Sequence, residues 1–112
     1  MPCICFTTNL SLDRKEKERL SEKLSRAIVL IPGKSVSATA TIIRDDSSMT
    51  FAGNDAPTAL VQIMVKGHAE KETYRPIAEK ITEIASSLGI KTERVNIAFS
   101  EFDYWAFDGK ML

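Results

Sequence analysis

Residues 2–8 gather apolar, aromatic and β-branched side chains before Asn9 and Ser11 bring turn chemistry, so the chain predicts a strand there. Asp13 followed by Glu16 fits an N-cap and its reciprocal partner, and Leu20, Leu24, Ala27, Ile28 and Ile31 then recur at helical spacing. Pro32-Gly33 ends that helix, and Val36 to Arg44, rich in Val, Thr and Ile, reads as a second strand. Met49 to Ala52 adds a short extended stretch. The order then repeats: Ala59 to Val65 reads as strand, and Tyr74, Ile77, Ile81, Ile84 and Leu88 form the stripe of a second helix. Pro76 would break the middle of that helix, which places its start near Glu70 to Thr73 and its end at Gly89. Arg94 to Ser100 is again strand, and Trp105 to Phe107 with Asp108-Gly109 predicts a last brief strand and turn.

Two successive βαβ units of about fifty residues predict an α/β fold in a single domain, residues 1–112. Four main strands form one sheet, with both helices on the same face. The other face is then bare. Yet Ala59 to Val65 is apolar at nearly every position, the pattern of a strand buried on both sides. A second copy of the chain is the simplest cover, because the short terminal strands could also pair with a neighbour's sheet edge.

Size and charge narrow the function classes. A chain of 112 residues can bury a core without staples. Fifteen Lys plus Arg balance fifteen Asp plus Glu, so no basic field gathers nucleic acid or an anionic membrane. No apolar run approaches the roughly 20 residues of a membrane span. The first residues lack a basic segment followed by an apolar one, so the expectation is a cytoplasmic protein whose release, if any, needs no signal peptide. Cys3 and Cys5 fall on one face of the first strand and read as two small core side chains. With His68 as the only other soft ligand, no metal site and no cofactor are expected.

Met1-Pro2-Cys3 through Thr7-Thr8-Asn9, Pro32-Gly33-Lys34, Met49-Thr50-Phe51-Ala52-Gly53, Asp55-Ala56-Pro57, Arg94-Val95 and Trp105-Ala106-Phe107-Asp108-Gly109 occur in an order and spacing that resemble the macrophage migration inhibitory factor family. The likeness spans nearly the whole chain. It implies a homotrimeric barrel with three sites at the subunit boundaries. It also implies a keto–enol tautomerase of the phenylpyruvate type, acting on small α-keto acids through an N-terminal proline. A binding protein of cytokine-like character, with a protein receptor and little catalysis, is the alternative that the same resemblance carries.

The chemistry needs Met1 removed. In a peptide bond the proline nitrogen's lone pair is delocalised, whereas a free amine on Pro2 has a reference pKa near 8. A lysine cation at about 6 Å and an effective dielectric of about 20 opposes its protonation by roughly 3 kcal/mol. The resemblance assigns that cation to Lys34, which could equally steady an enolate or hold a carboxylate. Lys34 as a plain helix-end cation is the bland reading. Lys66 stands where relatives carry an apolar residue whose backbone meets the ligand, so it either presses further on the Pro2 amine or binds a second anionic group. A strand-end lysine reaching for water is its other reading. Asn96 and Ala98 replace a pocket tyrosine and asparagine. Asn96 offers an amide, from a neighbouring subunit, or is a solvent-facing strand residue, and Phe107 supplies an apolar wall or packs in the core. Thr58-Ala59-Leu60-Val61 occupies the place of the family's Cys-x-x-Cys, so a thiol–disulfide activity does not carry over.

Overall fold

A computed structural model describes residues 1–112. Strand β1 (Pro2–Thr8) leads through Asp13 into helix α1 (Arg14–Ala27). Both halves of the capping box form: the Asp13 carboxylate accepts from the Glu16 amide at 2.8 Å, and the Glu16 carboxylate accepts from the Asp13 amide at 3.0 Å. One 3₁₀ turn (Ile28–Leu30) tightens the end of the helix. There follow β2 (Ala40–Arg44), β3 (Ala59–Lys66), helix α2 (Arg75–Ser87) entered through a 3₁₀ turn (Lys71–Tyr74), and β4 (Val95–Phe102). Strands β5 (Ala106–Phe107) and β6 (Lys110–Met111) form a separate small hairpin around Asp108-Gly109, both at positive φ.

The sheet order is β2-β1-β3-β4, with β1 parallel to β2, β3 parallel to β4 and the two inner strands antiparallel. Each βαβ repeat therefore supplies one parallel pair. Ile4, Phe6, Val61, Ile63 and Val65 on one sheet face meet Leu20, Leu24 and Ile28 of the first helical segment and Ile77, Ile81 and Ile84 of α2 in one core. Helix α2 ends as the sequence predicts, at Gly89 with φ 92°. The Gly89 amide donates to the Ser86 carbonyl at 3.0 Å and Ile90 to Ala85 at 3.4 Å, a Schellman closure with Ile90 buried behind it.

Two details differ from the sequence reading. Val36–Ala38 is a 3₁₀ turn rather than strand, and β2 begins only at Ala40. Ala40 is the partner of Cys3, and the next residue outward, Pro2, has no N–H with which to continue the ladder. The Thr39 hydroxyl also donates to the Ser35 carbonyl at 2.6 Å, a local bond that competes with strand pairing. Met49–Ala52 contributes a single bridge, Phe51 to Asn54, because Ala52 and Gly53 turn the chain at positive φ. Cys3 and Cys5 are buried and free, as expected of small core side chains. They lie on the sheet face away from the helices, with Met64 and Gln62 as their cross-strand partners.

That face is the bare one. It carries Ile42, Leu60 and Phe102 at 37–39% exposure, alongside the exposed Asn96 and Ala98. Its neighbouring loop, residues 51–57, is pinned by Arg94, whose guanidinium donates to the carbonyls of Pro57, Phe51, Asn54 and Ala56 at 3.0–3.2 Å.

Candidate active site at the start of the first strand

Register places the candidate base. Pro2 is the first residue of β1 and lies opposite Val65 near the end of β3, while Val65 pairs on its other side with Glu101 of β4. Pro2 is buried and Met1 is half-buried. The residue-2 nitrogen is a tertiary amide here, acylated by Met1. The Met1 carbonyl accepts from the Lys66 amide at 3.2 Å, so one peptide group masks both the proline nitrogen and the backbone donor beside it.

Lys34 reaches this point by a specific route. After Ile31 the chain turns through Pro32-Gly33, with Gly33 at φ 82° and the Lys34 amide donating to Ile31 at 3.1 Å. Pro then Gly at the two central positions is the chemistry of a type II turn. Lys34 is half-buried, and its Nζ donates to the Lys66 carbonyl at 2.9 Å. The N-terminal ammonium, on Met1 in this chain, is held below its ordinary pKa by burial first and then by the positive charges of Lys34 and Lys66. Neither lysine forms an ion pair.

Pro2, Lys34 and Lys66 are thus brought together within one protomer. Asn96 and Phe107 are not. Asn96 pairs with Leu60, five residues before the Glu101 row, which is roughly 16 Å along the strand from the Pro2 end. Phe107 is 56% exposed on the small hairpin.

Sequence reasoning missed a second cluster next to these residues. The Glu101 carboxylate accepts from the Tyr74 hydroxyl at 2.6 Å and the Ala69 amide at 2.7 Å, with His68 Nδ1 at 3.5 Å. His68 Nε2 meets Asp103 at 2.6 Å. Tyr74 stacks on Phe99 at 4.6 Å between centroids, and its pKa is pushed up to about 12 by burial and the Glu101 charge, so the hydroxyl remains a donor. The partners are 27 to 35 residues apart in sequence and form no linear motif.

The family model described as macrophage migration inhibitory factor (MIF) matches residues 1–111. The chain belongs to the MIF family. Its fold is also that of several solved structures. The crystal structure of MIF2 from Leishmania major superposes with a TM-score of 0.92 at 21% identity, covering 100% of this chain and 97% of that one. A MIF homologue from Prochlorococcus marinus gives 0.85 at 23% identity, with 97% of each chain covered. A structure of Pt0534 inactivated by 2-oxo-3-pentynoate gives 0.79 at 15% identity, covering 89% of this chain and 85% of that one. No match was found among curated proteins.

Proposed function

We propose that the mature protein is a keto–enol tautomerase of small α-keto acids, with the Pro2 amine as its base after Met1 is removed. The observation that carries this reading is an unpaired, half-buried Lys34 ammonium fixed on the Lys66 carbonyl beside the buried residue 2. Trimming moves the free amine from half-buried Met1 to buried Pro2, where burial and the two cations oppose protonation and keep it a base. It also releases the Lys66 amide from the Met1 carbonyl.

In the reaction the neutral amine takes a proton from the carbon next to the substrate carbonyl. Charge gathers on the carbonyl oxygen, where the Lys34 ammonium and the freed Lys66 N–H are placed to receive it. The protonated amine returns a proton to oxygen to give the enol, and the reverse sequence gives the ketone. The bare sheet face supports a homotrimer, in which a neighbour's β4 or terminal hairpin would bring Asn96 and Phe107 to the pocket rim.

The test compares the Met1-bearing and trimmed forms, each verified by intact mass. The trimmed form should ketonise enol acids and be labelled by 2-oxo-3-pentynoate at the residue-2 nitrogen; the Met1-bearing form should do neither. Equal activity in both forms would exclude the proline mechanism, and a trimmed form that binds α-keto acids without turnover would leave a binding protein.

A further inference from the structure

Every carboxylate near the end of β3 is already committed. Glu101, across from Val65, holds Tyr74, the Ala69 amide and His68, and Asp103 holds the other nitrogen of His68. The two lysines on the same strand end receive none of this negative charge: Lys34 Nζ contacts a neutral carbonyl, and Lys66 lies half-buried without an ion pair. Two half-buried cations without ion pairs at one strand end repel each other, and a ligand carrying two negative charges relieves that repulsion better than one carrying a single charge.

Geometry limits the ligand's length. The Lys66 carbonyl contact puts Lys34 Nζ within about 5 Å of the Lys66 Cα, and a lysine stem spans at most about 6 Å, so the two ammonium groups lie within roughly 11 Å. A five- or six-carbon dicarboxylate with a hydrogen bond at each end bridges that distance.

We propose that the site takes dianionic 2-oxo acids, with the carboxylate beside the keto group held at Lys34 and the distal one at Lys66. This rests on the tautomerase reading for the fate of the ligand, but not for its binding.

The experiment uses trimmed protein and matched pairs, 2-oxopentanoate with 2-oxopentanedioate and their six-carbon homologues. Deuterium uptake at the carbon next to the ketone in heavy water is followed by proton NMR. The dianion should be favoured in kcat/KM, with the ratio falling about tenfold in Lys66→Met and restored in Lys66→Arg, as expected for loss of one charged hydrogen bond. Binding of pentanoate and pentanedioate, which have no ketone to react, is measured in parallel by titration. Dianion selectivity in binding that depends on Lys66, without deuterium uptake, supports the dianion site and rejects the tautomerase reading. Uptake with the same ratio in wild type and Lys66→Met overturns the dianion site and leaves the tautomerase intact. Absence of both uptake and selective binding overturns both.

Discussion

Replacing Arg94 by Met removes the one side chain that ties the loop 51–57 to the start of β4. Arg94 is 7% exposed and has no carboxylate partner; its charge is balanced by four carbonyl oxygens, with the Phe51 ring 5.6 Å from the guanidinium carbon. Hydrogen bonds to a charged group contribute about 1.5–3 kcal/mol each, but their sum overstates the loss. Burying the guanidinium is itself costly, and the freed carbonyls belong to exposed residues that water can reach. The net expectation is about 3 kcal/mol, near the lower end of what breaking a buried charged network costs. For a chain of this length that is a fall of roughly 12 °C in Tm. Urea unfolding at fixed protomer concentration should show a lower midpoint with an unchanged slope, and amide exchange at Phe51 and Asn54, which bond each other's carbonyls at 2.9 and 3.2 Å, should accelerate. A stability change under about 1 kcal/mol would refute the clamp, because it would mean that water replaces the guanidinium without penalty.

Two further outcomes follow from the charges around the strand end. Lys34→Ala removes a cation that depresses the terminal amine, so the acidic limb of the pH–rate profile of trimmed protein should move to higher pH while kcat falls about 10²–10³-fold; an unmoved limb would show that Lys34 does not act on the base. His68 is raised above its ordinary pKa of 6.5, by its bond to Asp103 first, then by the Asp103 charge and the contacts with Glu101. Its contribution to stability is therefore complete below its unfolded pKa and lost as pH rises through the folded one. His68→Gln should flatten the decline in Tm as pH rises above the ordinary histidine range, and an identical decline in both proteins would assign the pH dependence elsewhere.

The parts of the fold written in local chemistry were readable from sequence. Asp13 with Glu16, Pro32-Gly33, Gly89 and Asp108-Gly109 each specify a bond or a φ that only a few residues supply, and the elements break where they stand. The false strand at Val36–Ala38 shows the limit of propensity. Its β-branched neighbours suit a strand, but continuing the register of β2 would set Thr39 against Pro2, which has no N–H, and Ala38 against Met1, and that fact lies more than thirty residues away. The chemical site divides in the same manner. Pro2 and Lys34 were found through resemblance to a family, whereas Glu101, Tyr74, His68 and Asp103 have no motif because the end of β4, the loop after β3 and the 3₁₀ turn before α2 assemble them. Cys3 and Cys5 are the small buried side chains expected of them, but which sheet face they share was not legible. Alternation in β1 shows that they share a face, and only the position of the helices says which face it is.

Chain ends are ordinarily where a protein frays first. Here the opening strand is an inner one, flanked by β3 from Pro2 and by β2 from Cys3 onward, so it can peel away only if the middle of the sheet opens. A reactive amine carried there has lost its orientational freedom before any substrate arrives, and heat should abolish turnover together with the global fold instead of ahead of it.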